Sequence, residues 1–194
     1  MSEEFSGKHI LLLLLYAPGK EDTKNEPVVG RTRVIKMMFL FEKEISDNFF
    51  EDSDIELVSF PDFYPWNYGP FSKDVYNHIE FFINNGFIEN EPLQYEMDEA
   101  ESKEYENWME DYTLEDEDTA LSSIHEVERF KLTSKGKNFV EERLYNQLTE
   151  NQKEILSEFK ERINSADLKA IMRYTYVNYS EFTEESKIKD EILD

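Results

Sequence analysis

The chain has 194 residues, of which 39% are hydrophobic and 14% aromatic, so it can bury a core and is not globally disordered. Its 44 acidic and 21 basic residues give a net charge of −23, which disfavours nonspecific binding to the phosphates of nucleic acid. Cysteine is absent, which excludes disulfides and thiolate metal sites and is compatible with a cytoplasmic location.

The first elements in chain order are predicted to be two buried helices and a strand. An apolar run at 10–16 predicts a helix over 9–17; it is too short to span a membrane and lacks the flanks of a signal peptide. A second helix is predicted over 30–46, and it is apolar on nearly every side, which places it at the centre of the domain. Residues 55–60 predict a short strand.

An aromatic segment, 66–72, reads Trp-Asn-Tyr-Gly-Pro-Phe-Ser and predicts a sharp turn into a third helix. Ser72 is the expected N-cap of this helix, because its hydroxyl can accept a hydrogen bond from the first turn. Gly86 is expected to end the helix in the left-handed conformation.

The aromatic segment has two interpretations. It can be architectural, with Trp66 and Phe71 packed on the second helix. Alternatively, Trp66, Tyr68 and Phe71 form an exposed edge that contacts a partner protein.

Residues 91–118 form a strongly acidic stretch with 13 acidic residues and one lysine. We interpret the region at about 91–122 as an acidic insertion. Aromatic side chains interrupt the charge, and Tyr105, Trp108 and Tyr112 are further candidates for partner binding. The stretch is predicted to be either a solvated loop or an arm that becomes ordered on a partner.

The C-terminal part is predicted to contain one strand and three helices. The strand covers 127–132, and a turn at 133–136 leads into helices over 137–148, 151–163 and 167–179. The charged tail after Phe182 is expected to fray. The last helix is rich in tyrosine and is predicted to pack on the core or across the two-fold axis of a homodimer.

These elements predict a mainly α fold with a small β component (α+β). The expected architecture is a winged-helix-like core over 1–150, which carries a short β-wing and the acidic insertion. The helices of 151–194 are expected to pack on this core.

No motif predicts catalysis, a cofactor or a metal. The three histidines, His9, His78 and His125, are not spaced as metal ligands, and no glycine-rich phosphate loop occurs. At the start of the second helix, Arg31, Arg33 and Lys36 form a possible anion contact. The alternative is that these cations pair with acidic residues nearby.

Three stretches, 30–40, 66–72 and 130–136, together resemble the Panacea group of proteins, which includes SocA-like antitoxins. Within that group the chain is most similar to uncharacterised prokaryotic proteins of the YwgA type. The resemblance implies a helical core with a small β-wing and a role in prokaryotic or phage conflict systems. Panacea-containing antitoxins neutralise unrelated toxins by direct protein contact.

We therefore expect a non-catalytic protein-binding neutraliser or adaptor, antitoxin-like or an accessory of phage defence, that acts through an acidic surface. Its expected partner is a protein with a basic surface, such as a toxin, a nuclease or a defence component, and not nucleic acid or a membrane. The alternatives are a winged-helix DNA-binding transcriptional regulator and an inhibitor that mimics DNA.

Overall fold

The computed structural model describes residues 3–93 and 127–194. Its helices are α1 (Gly7–Tyr16), α2 (Arg31–Leu40), α3 (Ser46–Phe50), α4 (Lys73–Asn84), α5 (Ser134–Arg143), α6 (Glu150–Ser165), α7 (Leu168–Asn178) and α8 (Lys189–Leu193). Its strands are β1 (Glu3–Ser6), β2 (Val28–Val29), β3 (Ile55–Ser59), β4 (Tyr64–Trp66), β5 (Gly69–Phe71), β6 (Ile88–Leu93) and β7 (Val127–Leu132). The fold is mainly α with a small β component, as predicted.

The described strands form three small sheets. Strands β1 and β3 pair in parallel, β4 and β5 form an antiparallel hairpin, and β2, β7 and β6 form an antiparallel sheet in that order. We call the β6–β7 pair the wing ribbon; it runs from Ile88 opposite Leu132 to Leu93 opposite Val127. The winged-helix likeness of the core stays a prediction.

Helices α1 and α2 lie at the centre of the molecule, as their apolar sequences predict. All residues from Ile10 to Tyr16 are buried, and so are those from Val34 to Phe41. The second helix continues through a π-helical turn, Phe41–Ile45, into α3, and therefore ends later than predicted. Helix α6 packs Leu156, Phe159 and Ile163 into the same core.

Helix α5 begins earlier than its predicted start at 137. The Thr133 side chain accepts a hydrogen bond from the Gly136 amide at 3.1 Å and caps the helix, which begins at Ser134. The predicted turn is therefore the first turn of the helix.

The C-terminal tail is folded, and the expectation that it frays after Phe182 is wrong. Residues Ile188 and Ile192 are only 6% and 1% exposed, and they pack with Tyr68, Met172 and Tyr176 in a second hydrophobic cluster. Helix α7 thus packs its Met172 and Tyr176 into its own chain. Burial of these few apolar residues fixes α8 despite its charged neighbours.

Among the helices of residues 3–93 and 127–194, none combines the length and the apolar composition needed to cross a bilayer.

Candidate functional site

The β4–β5 hairpin carries three aromatic side chains, Tyr64, Trp66 and Phe71, which we call the aromatic triad. Tyr64 lies opposite Phe71 in the register, and their ring centroids are 5.7 Å apart. The Trp66 ring lies 6.1 Å from Phe71 and 6.0 Å from Tyr64. Tyr64 is 37% exposed, and the other two rings are half-buried. Cross-strand aromatic contacts of this kind stabilise a short hairpin.

A buried lysine holds the hairpin against the central helix. Lys36 lies in α2 and is only 2% exposed, and its Nζ donates hydrogen bonds to the carbonyls of Tyr68 and Pro70, both at 2.7 Å. Burial lowers the pKa of Lys36 to about 7. Because unpaired backbone carbonyls are costly to bury, the two hydrogen bonds from the Lys36 amino group stabilise the hairpin.

The C-terminal segment holds the hairpin from the other side. Gly69 has φ +81°, and a Cβ atom there would lie 2.7 Å from the Tyr176 ring, so only glycine fits. The hydroxyls of Tyr176 and Ser186 lie 2.8 Å apart, and Ser186 donates to the Asn67 carbonyl at 3.2 Å. The Lys187 amide donates to the same carbonyl at 3.0 Å. The hairpin is therefore fixed by contacts on two sides.

The predicted partner-binding residues have different positions in the structure. Trp66 and Phe71 line a small pocket with Thr32 and Ile35 of α2, and Phe71 packs against the main hydrophobic core. Tyr68 is only 6% exposed and belongs to the second hydrophobic cluster; its side chain is not part of an exposed edge. The other three candidates, Tyr105, Trp108 and Tyr112, lie outside the described residues.

Tyr64 belongs to the aromatic triad, but it is not among the residues predicted from the sequence to bind a partner. The signal was the repeated pattern of an aromatic residue and a proline, Tyr64-Pro65-Trp66 and then Pro70-Phe71. Two such short extended segments around a glycine are consistent with a hairpin.

The guanidinium group of Arg31 is engaged by acidic side chains. Its Nε lies 2.7 Å from Glu128, and its Nη1 lies 2.5 Å from Glu80. The guanidinium carbon also lies 4.8 Å from the centroid of the Tyr76 ring. For Arg31, the structure therefore agrees with the alternative of pairing with nearby acids.

Arg33 and Lys36 bind backbone carbonyls of their own chain. The Nη1 of Arg33 donates to Ile163 at 2.5 Å and to Ala166 at 2.6 Å, at the end of α6. Together with Arg31, the three residues predicted to contact an anion thus connect separate elements of the fold. Their polar groups therefore bind parts of the same fold.

A second lysine is buried in the same manner. Lys160 of α6 is 0% exposed, and its Nζ donates to the carbonyls of Leu15 and Ala17 at 2.7 Å each. Burial lowers its pKa to about 7, although the Glu26 carboxylate acts in the opposite direction. These carbonyls lie at the C-terminal end of α1, where the helix dipole favours a cation.

The described histidines have structural positions. His9 accepts a hydrogen bond from the Ser6 amide at 3.1 Å and helps to cap α1, and burial lowers its pKa. His78 is half-buried in α4, where burial also lowers its pKa. Within residues 3–93 and 127–194, no cluster of histidine and acidic side chains is suited to hold a metal ion. His125 lies outside these ranges.

Comparisons of the chain with protein-family models, curated proteins and solved structures found no match.

Proposed function

We propose that the chain is a cytoplasmic, non-catalytic protein-binding neutraliser or adaptor, either antitoxin-like or an accessory of phage defence. The observation that carries this proposal is the aromatic triad on a hairpin fixed from two sides. A rigid binding edge loses little conformational freedom when a partner binds, which favours affinity. The resemblance to the Panacea group supports the same function.

The chemistry of the triad is suited to protein contact. Tryptophan and tyrosine are the residues most enriched among those that dominate binding energy at protein interfaces. Tyr64 offers the most exposed ring, while Trp66 and Phe71 border the small pocket above Lys36. A partner side chain would bury the exposed ring edges and extend the aromatic cluster.

The charge of the chain indicates the kind of partner. Lys36 and Lys160 donate to buried carbonyls, and Arg31 and Arg33 bind groups of their own fold. The chain as a whole has a net charge of −23. Such a charge attracts a basic protein, such as a toxin or a nuclease, and raises its association rate.

Nucleic acid is a less favourable partner. In a winged-helix regulator of DNA, α4 would be the recognition helix, and it carries Lys73 as its only lysine or arginine, together with Asp74 and Glu80. Glu80 also binds Arg31, so that guanidinium is not presented to a phosphate. Recognition helices need several groups that contact phosphates and bases.

The proposal can be tested with the full chain and the product of its adjacent gene. We expect the two proteins to co-purify at low salt and to associate more slowly at high salt. Tyr64→Ala and Trp66→Ala should each weaken the complex about 10-fold, measured by calorimetric titration. Phe81→Ala is the matched control, because Phe81 is 47% exposed but lies on α4, outside the triad.

Two results would contradict the proposal. One is the absence of a complex at low salt; the other is an equal loss of affinity in Phe81→Ala and the triad variants. Circular dichroism of each variant shows whether the fold is intact. If Trp66→Ala unfolds, the more exposed Tyr64→Ala decides the question.

A further inference from the structure

Helix α7 has one buried face and one exposed face. Its buried residues, Ile171, Met172, Thr175 and Tyr176, face the interior. The opposite side carries residues at intervals of four, which therefore lie along one stripe of the helix. We call this stripe the outer face of α7, and all its members are exposed: Lys169, Ala170, Arg173, Tyr174, Val177 and Asn178.

The outer face of α7 exposes an unusual amount of apolar surface. Val177 is 64% exposed and Tyr174 is 45% exposed, and the two residues are three positions apart on the helix. Both exceed the exposure of Tyr64 in the aromatic triad, which is 37%. Contiguous exposed apolar groups with a polar rim are typical of binding surfaces.

The charge of this face is opposite to that of the chain. Helix α7 contains Lys169 and Arg173 and has no acidic residue between Leu168 and Asn178, whereas the whole chain has a net charge of −23. Asp167, just before the helix, accepts a hydrogen bond from the Ala170 amide at 2.6 Å and serves as the N-cap.

Glu44 is an acidic residue of a neighbouring element that contacts Tyr174 on this face. Its carboxylate accepts hydrogen bonds from Arg162 and from the Tyr179 hydroxyl, both at 3.0 Å. Its hydrogen bond with Tyr174 raises the pKa of that phenol. Arg162 offsets the charge of Glu44, and Lys169 and Arg173 are the charged residues that α7 itself exposes on this face.

We propose that the outer face of α7 binds an acidic amphipathic helix of another protein. Val177 and Tyr174 would cover the apolar stripe of such a helix, and Lys169 and Arg173 would meet its flanking carboxylates. The long stems of lysine and arginine add apolar contact while their charged ends stay at the rim. This goes beyond the proposed function, since an adaptor would then have two binding surfaces of opposite charge.

The test uses the full chain labelled with ¹⁵N and a synthetic acidic peptide as the probe. The peptide carries leucine at helical spacing between glutamates, and a scrambled peptide of the same composition is its control. We expect saturable shifts of the α7 backbone amides with the first peptide and about 10-fold weaker binding of the second.

Variants of the chain distinguish binding at the outer face of α7 from an effect of the overall charge of the chain. Arg173→Glu and Val177→Ser should each weaken binding of the acidic peptide about 10-fold. Arg143→Glu is the matched control, because it makes the same change of charge at an exposed position near the end of α5. This control should bind the peptide as the unaltered chain does.

Four results would overturn the inference. They are shifts that avoid α7, equal weakening by Arg143→Glu, no effect of Val177→Ser, and equal binding of the scrambled peptide. Shifts of the same amides on addition of a short DNA duplex would assign the face to nucleic acid. If the α7 amides shift when the protein concentration is raised without any peptide, the outer face of α7 would instead bind a second copy of the chain.

Discussion

The two antiparallel ribbons of the molecule are stabilised by opposite means. The β4–β5 hairpin is held by packed aromatic rings and by the buried ammonium of Lys36. The wing ribbon carries exposed ion pairs between its strands: Lys131 lies 3.2 Å from Glu89 and 3.3 Å from Glu91, and Arg129 also binds Glu91. Salt should therefore change the stability of the β4–β5 hairpin very little, whereas it should weaken the ion pairs of the wing ribbon.

The two lysines show how the environment changes the same side chain. Burial lowers the pKa of Lys36 to about 7, whereas hydrogen bonds to Glu89 and Glu91 raise the pKa of Lys131. Desolvation disfavours a charge, and a nearby opposite charge favours it. The hairpin is therefore held by a lysine whose charge is disfavoured by burial. The wing ribbon is held by lysine and arginine charges that remain accessible to water.

The largest effect is expected from Gly69→Ala in the hairpin. The new methyl group would lie 2.7 Å from the Tyr176 ring at a φ of +81°. Strain and overpacking together should lower the free energy of unfolding by about 3 kcal/mol, measured by urea denaturation.

Gly86→Ala, just before the wing ribbon, is the matched control. Gly86 also has a positive φ, +72°, but no heavy atom lies within 4 Å of a Cβ placed there. Only backbone strain remains, so we expect a loss of about 1 kcal/mol. Equal losses in the two variants would mean that the hairpin is not pressed against Tyr176.

The parts of the fold that were predictable from sequence are those with a strong periodic or capping signal. The apolar runs of α1 and α2, the Ser72 cap of α4 and the strand β7 all lie close to their expected positions. The hairpin was missed because its strands have three residues each and contain Pro65 and Pro70, which are unusual in strands.

The candidate site was predicted only in part for a related reason. Trp66 and Phe71 line a pocket with residues of α2, which agrees with the architectural alternative. Lys36 was predicted to contact an anion or to pair with nearby acids, but it is buried against backbone carbonyls. Its place in a helix that is apolar on nearly every side was the available signal of burial. Lys160 carried no such signal, because the carbonyls that it binds are about 145 residues away along the chain.

An intermediate effect on the free energy of unfolding is expected when the pH is changed, because Lys36 is buried. The folded-state pKa of Lys36 lies near 7, below that of an unfolded lysine, about 10.4, so the unfolded chain binds more protons between these values. Stability should therefore rise with pH through this window, by up to about 1.4 kcal/mol per pH unit for each such lysine.

Lys36→Met should remove the part of the rise in stability with pH that Lys36 causes. The increase in stability with pH that remains should come from Lys160. Urea denaturation at several pH values from about 7 to 9 measures the slope. Lys43→Met is the matched control, since the Lys43 side chain lies on the same continuous helix and is 34% exposed. A slope unchanged by Lys36→Met would show that the Lys36 amino group is not buried against the β4–β5 hairpin.

The smallest effect is expected in the wing ribbon. Lys131→Gln removes the contacts to Glu89 and Glu91, so it should increase hydrogen exchange at the β7 amides at low salt. At about 1 M salt the Debye length falls to about 3 Å, and the difference from the unaltered chain should disappear. The destabilisation caused by Gly69→Ala should stay the same in both conditions, because a steric contact is not screened. A salt-independent effect of Lys131→Gln would show instead that packing of the lysine stem, rather than exposed charge, holds the wing ribbon together.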